Sequence, residues 1–175
     1  MNIVTFKRGI HPPYRKEATA SSPIQRLETG PVVVIPLLQH LGAVCTPLVK
    51  KGDYVRMGQK IGDSEAFMSS PVHSSVSGTV TAVEKHLHPN GTQVMSVLIE
   101  NDFHYDVCTD EIAPHQDYQK MTPAQIIQTI RAAGIVGMGG AGFPVHIKVN
   151  IPKDKKAQYV IVNGAECEPY LSSDH

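Results

Sequence analysis

Residues Gly137 to Pro144 read Gly-Met-Gly-Gly-Ala-Gly-Phe-Pro, four glycines in eight positions. Glycines at 137, 139, 140 and 142 strip the Cβ atoms from one wall of a turn and permit positive φ. Consecutive backbone N–H groups can then converge on an anion such as a phosphate. About twenty residues further on, an apolar run ends in Asn163-Gly-Ala-Glu-Cys-Glu168-Pro. Glu166 and Glu168 flank Cys167 and face the same side if the backbone there is extended. With Asn163 they could hold the polar parts of a nucleotide. A glycine-rich turn alone is often only a tight or flexible corner, and two acidic residues alone are often a solvated bend, so the pairing of the two motifs carries the reading.

The glycine octet is not the G-x-G-x-x-G dinucleotide fingerprint, which follows a first strand, whereas a helix precedes the loop here. Phe143 is either a ring at the rim of a pocket, able to stack on a flat ligand, or a core phenylalanine. Lys148 can neutralise a phosphate or polarise a ring carbonyl, and is otherwise a generic exposed lysine. Cys167 sits between two carboxylates, which should raise its pKa and dull it, so it reads as structural. No side chain is required as a catalytic acid, base or nucleophile. His86-x-His88 is the one place where two histidines share a strand face, with no third ligand in view, and no metal site is assigned.

These groups need elements to position them. Met121 to Gly134 reads as a helix: Thr122 as N-cap, Pro123 at the first helical position, Gln125 closing a Thr-x-x-Gln capping box, and Gly134 at the C-terminus. Ile126, Ile127, Ile130 and Ala133 fall on one face, which predicts packing against a sheet. Phe143-Pro144 opens a short helical segment ending near Lys148, and Gln158 to Val162 predicts a buried strand. Upstream, residues 31–105 form short β-rich runs separated by turn residues such as Lys51-Gly-Asp53 and Pro89-Asn-Gly91.

That β region, from Val49 to Gly62 and again from Pro71 to Val80, resembles the barrel-sandwich hybrid of biotinyl and lipoyl carrier domains. Carriers hold their prosthetic group on a lysine of the intervening hairpin, but no lysine lies between Lys60 and Lys85. The module therefore reads as a docking or spacing unit. The expected organisation is mixed α+β: an extended strap over 1–30, the all-β barrel-sandwich hybrid over 31–105, a linker over 106–120, and the start of an α/β Rossmann-like domain over 121–175.

Composition excludes several classes. Lys plus Arg and Asp plus Glu both number 16 and no basic stripe interleaves with aromatics, which sets nucleic acid aside. The longest apolar run, Val32 to Leu38, is interrupted by Pro36 and is far short of the ~20 residues of a membrane helix, so no direct membrane span is expected. Cys45, Cys108 and Cys167 are too few for a disulfide framework or a fully ligated iron–sulfur cluster.

The two motifs together, Gly137 to Pro144 with Lys148 and then Val162-Asn-Gly-Ala-Glu-Cys-Glu-Pro-Tyr-Leu171, resemble the flavin-binding core of the NADH-oxidising flavoprotein subunit of respiratory complex I. The whole chain, from Gly9-Ile-His-Pro-Pro13 through the β module to Asp174-His175, is more similar to the C subunits of Rnf-type ion-translocating electron transport complexes. A cobalamin-reductase type of flavoprotein shares both modules but resembles the chain less, because of the Gly-Ile-His-Pro-Pro segment and the β-module-first order. The resemblance implies FMN and NADH as cofactors, hydride transfer onto the flavin, and single-electron release to iron–sulfur clusters held further along the parent chain. It implies that Gly137, Gly139, Gly140 and Gly142 line the FMN phosphate and ribitol, that Lys148 contacts FMN, and that Phe143 flanks NADH. Asn163, Glu166 and Glu168 would hold the flavin ring and nicotinamide side. Met138, Ala165 and Cys167 depart from the complex I pattern, where arginine, aspartate and glycine are usual. The expected partners are the other subunits of a membrane complex, with the chain peripheral on the cytoplasmic side of the inner membrane. The sequence is expected to be an N-terminal fragment carrying half of the flavin site. The competing reading is a non-catalytic docking module.

Overall fold

The structure, a computed structural model, describes residues 12–110, 117–152, 154–163 and 168–172. The chain divides into two compact units, Glu28–Lys156 and a smaller unit that joins Met1–Leu27 with Ala157–His175.

The larger unit begins with seven strands: β1 (Val32–Pro36), β2 (Thr46–Pro47), β3 (Tyr54–Val55), β4 (Lys60–Asp63), β5 (Val72–His73), β6 (Gly78–Leu87) and β7 (Gln93–Asn101). They form two antiparallel sheets, β1-β7-β6-β3 and β2-β4-β5. The long β6–β7 hairpin runs in register from Gly78 opposite Asn101 to Leu87 opposite Gln93, with a bulge between Val80 and Ala82. Its turn is closed by the Asn90 side chain, whose Oδ1 accepts from the Thr92 N–H at 3.0 Å.

Alternation places one face of each strand inward. Ile35, Val55, Val80, Val97 and Ile99 from the larger sheet meet Ile61 and Val72 from the smaller one, and Leu37, Cys45 and Val76 fill the gaps from the connections. This is the β module expected from the sequence. At the β4–β5 hairpin, where a carrier would present its lysine, Phe67 stands 76% exposed. The Ser69 hydroxyl, donating to Ser64 O at 3.0 Å and Ala66 O at 2.7 Å, closes the hairpin on itself.

Two helices follow, α1 (Pro123–Ala132) and α2 (Val145–Lys148). The capping box forms as expected, Gln125 N–H donating to Thr122 Oγ1 and Thr122 N–H donating to Gln125 Oε1. The apolar face is shallower than expected. Ile126, Ile127 and Ile130 are only half-buried and Ala133 is exposed, because the helix lies on the rim of the barrel and not across a broad sheet.

The smaller unit is built on main-chain capture. Tyr170 N–H donates to Tyr14 O at 2.7 Å, Thr19 Oγ1 to Tyr170 O at 3.2 Å, and Lys16 Nζ reaches the carbonyls of Glu168 and Leu171. The N-terminal strap is thus tied to the C-terminal segment. The buried strand expected over Gln158 to Val162 is not found: these residues are irregular, and Tyr159, Val160, Ile161 and Val162 are 84–90% exposed. A strand needs a neighbouring ladder, and among the described residues none pairs with this run.

Candidate functional site

Helix α1 is followed by its C-cap Ala133 and by Gly134, and the chain then runs into a tight hairpin whose tip is the glycine loop. Val136 bridges Pro144, Gly137 N–H donates to Phe143 O at 2.9 Å, and Val145 N–H donates to Ile135 O at 3.0 Å. Pro144 is fully buried at the base and Phe143 half-buried beside it, while Lys148 is exposed at the end of α2. Phe143 is therefore neither a buried core residue nor fully exposed.

The loop glycines separate into two kinds. Gly142 has φ 65° and packs so closely on the barrel that a Cβ would stand 2.9 Å from Gln39 O and 3.0 Å from His40 Cα, while Leu41 N–H donates to its carbonyl at 3.0 Å. Gly139 and Gly140 have no positive φ and nothing within 4 Å of a Cβ position. Among the described residues no hydrogen bond engages their N–H groups, and neighbouring Met138 is 96% exposed. Neither backbone strain nor packing among the described residues requires glycine there. A bare, outward-facing turn with free N–H groups fits a phosphate-bearing ligand that approaches the main chain closely.

The acidic turn belongs to the smaller unit. Asn163 and Glu168 are both exposed, and Glu166 lies outside the described residues, as does Cys167. Gly137, Gly139, Gly140, Gly142, Phe143 and Lys148 are therefore gathered in one compact unit, and Asn163 and Glu168 are not part of it. His86 and His88 are engaged separately, His86 with Glu84 at 3.3 Å and His88 with Leu38 O at 3.0 Å. Among the described residues no cluster of three or more His, Cys, Asp or Glu gathers as a metal site.

Next to the loop stems lies a half-buried polar cluster that the sequence does not announce. Arg131, near the end of α1, donates to Asp63 Oδ1 at 2.9 Å and to Ser64 O at 2.7 Å, with a longer 3.5 Å contact to Asp63 Oδ2. Burial works against ionisation of Asp63, but hydrogen bonds from Arg131, the Ser64 N–H and Lys60 outweigh it and hold its carboxyl below the ordinary carboxylate value. Cys45, donating to Ser70 O at 3.2 Å, is a thiol that burial first and Asp63 second push up to about 11, so it stays protonated and unreactive at neutral pH.

His40 and His146 are both buried. Burial lowers the pKa of His40 against the opposing pull of the Ala43 carbonyl, and lowers that of His146 together with the charges of Arg131 and His40. His40 Nε2 lies 3.1 Å from both the Ser70 N–H and the Ala43 carbonyl, and the neutral ring can serve only one of them at a time, accepting from the first or donating to the second. A histidine whose folded pKa is depressed takes up a proton more readily when unfolded, so stability is full above the unfolded value near 6.5 and is lost as pH falls below it. Thermal unfolding followed from pH 7.5 to 5 is expected to show a falling midpoint. The loss is bounded at about 1.4 kcal/mol per pH unit for each histidine. A flat profile would show that neither ring is held neutral.

Similarity to known proteins covers both the barrel and the glycine hairpin. The family model described as RnfC barrel sandwich hybrid domain matches residues 4–104, and that of the Nuo51 FMN-binding domain matches residues 130–175. Over 171 residues the chain is 52% identical to a protein of Acetobacterium woodii named as the C subunit of a Na(+)-translocating ferredoxin:NAD(+) oxidoreductase complex, covering 98% of this chain and 38% of that protein. It is 42% identical over 173 residues to a Clostridium ljungdahlii protein named as the C subunit of a proton-translocating ferredoxin:NAD(+) oxidoreductase complex, covering 99% and 38%. The C subunit of an ion-translocating oxidoreductase complex of Haemophilus influenzae is 38% identical over 171 residues, covering 97% and 26%. The chain thus spans well under half the length of these relatives. With a match to the RnfC barrel-sandwich hybrid over more than half of its residues, followed by a segment similar to an FMN-binding domain, the chain belongs to the RnfC family.

Proposed function

We propose that the chain is the electron-entry part of an ion-translocating oxidoreductase subunit, binding FMN at the glycine hairpin. The observation that carries this is the bare tip at Gly139 and Gly140, glycines that no contact among the described residues requires, inside the segment similar to an FMN-binding domain. Their N–H groups would take the FMN phosphate, Gly137 and Gly142 would shape the stems toward the ribitol, and Lys148 would neutralise phosphate charge. Phe143 would flank the nicotinamide of NADH, and Asn163, Glu166 and Glu168 would hold the flavin ring and nicotinamide side. When bound, FMN supplies acceptance of two electrons from NADH and their release one at a time to iron–sulfur clusters held elsewhere in the whole subunit. The protein's part is to bind and orient. Attachment to the membrane would be peripheral, through other subunits of the complex on the cytoplasmic face. Among the described residues no helix is long and apolar enough to cross a membrane.

Titrating FMN into the 175-residue chain and into the whole subunit, at the length of its relatives, tests the reading. The whole subunit is expected to quench flavin fluorescence stoichiometrically, and the shorter chain to bind at least about tenfold more weakly, a deficit of roughly 1.4 kcal/mol. A whole subunit that leaves FMN fluorescence untouched would remove the flavin reading.

A further inference from the structure

We propose that the barrel is the seat of the flavin loop, with Asp63 and Arg131 acting as positioning residues for FMN binding; this inference rests on the flavin reading above. Both stems of the hairpin are fixed to one surface of the barrel, and only the tip is left open.

On the incoming side, the Arg131 guanidinium spans Asp63 at the end of β4 and the Ser64 carbonyl. Asp63 is itself held by Lys60 Nζ at 3.2 Å and by the Ser64 N–H at 2.8 Å, so the acceptor is aligned before Arg131 arrives. The two side chains are each 23% exposed, which limits solvent screening of these charge-assisted bonds. Three residues on, Gly134, at φ 68°, lies so near the β4–β5 hairpin that a Cβ would meet Pro71 O at 2.6 Å and the His73 ring at 3.0 Å. On the outgoing side, Gly142 is held by Leu41 and pressed against Gln39 and His40.

The physical consequence concerns ordering cost. A loop with glycines at 137, 139 and 140 has more backbone freedom to lose on closing around a ligand than any other composition would. Fixing its two ends in advance lowers that cost, and the saving appears as affinity. In this role Asp63 and Arg131 act through the stem and not by contact with the ligand. The β module, which carries no carrier lysine, thereby acquires a role in the site.

The test uses the whole subunit with Asp63→Asn, Arg131→Gln and Arg131→Lys, measuring FMN dissociation by fluorescence quenching, the unfolding midpoint, and hydrogen exchange of the Leu41 amide that binds Gly142. Asp63→Asn and Arg131→Gln are expected to weaken FMN about tenfold and to speed Leu41 exchange, with Arg131→Lys falling between them and the parent. A role in stability alone would lower the midpoint yet leave the affinity of the folded protein unchanged. FMN affinity within twofold of the parent in both Asp63→Asn and Arg131→Gln would overturn the proposal. Should a variant fold poorly, Arg131→Lys carries the same comparison. A parent subunit that does not bind FMN would instead sink the flavin reading, and Leu41 exchange would then decide by itself whether the clasp fixes the loop.

Discussion

Gly140→Val is expected to weaken FMN binding by the whole subunit about a hundredfold while leaving its unfolding midpoint where it was. Gly140 is exposed, has no positive φ, and offers open space where a side chain would project, so the free protein has no reason to resist the change. The resistance comes from the ligand. A branched side chain at the tip holds a phosphate away from the neighbouring N–H groups. Two charge-assisted hydrogen bonds lost at about 1.5 kcal/mol each amount to roughly the 3 kcal/mol that a hundredfold requires. Gly139→Val is expected to behave alike. The measurement is a quenching titration paired with thermal unfolding on the same preparation. A fallen midpoint with intact affinity would mean that the tip glycines serve the fold and that the phosphate lies elsewhere.

The features legible in the sequence are local or periodic. The capping box at Thr122 and Gln125 lies within one helical turn, and its four residues suffice to specify it. The β module is legible because alternating apolar residues and turn glycines recur over about seventy positions, a pattern that side-chain period and turn chemistry jointly require. The brief helix after Phe143-Pro144 is legible because proline, here the N-cap, marks a helix start at little cost. By contrast, Asp63 and Arg131 stand 68 positions apart, and nothing about either residue names the other. Only the folded barrel brings the β4–β5 hairpin beneath the end of α1. The run Tyr159-Val-Ile-Val162 misleads for a related reason, since β-branched apolar residues suit a buried strand but cannot form one without a partner ladder. Read as a string, the loop glycines are equivalent. Two close approaches, Gly134 to Pro71 and Gly142 to Gln39, depend on tertiary contact and separate the structural glycines from those left for a ligand.

That separation leads to an opposite expectation two residues further along the same loop. Gly142→Val is expected to destabilise the larger unit by about 3 kcal/mol, because two costs coincide there. A β-branched residue at φ 65° is strained by roughly 1–2 kcal/mol, and its Cβ would press on Gln39 O and His40 Cα, which are backbone atoms and cannot rotate aside. Relief requires the loop to lift from the barrel, breaking the Leu41 hydrogen bond to residue 142 and exposing the buried Pro144 and His146 beneath. For a unit of this size the unfolding midpoint should fall by roughly 6–12 °C. FMN affinity should fall with it, since a lifted stem no longer presents residues 139 and 140 in a fixed geometry. Gly142→Ala, which keeps the strain and the first overlap but adds no branch, should lie between. A Gly142→Val protein with the parent's midpoint and protected Leu41 amide would show that the hairpin does not rest on the barrel.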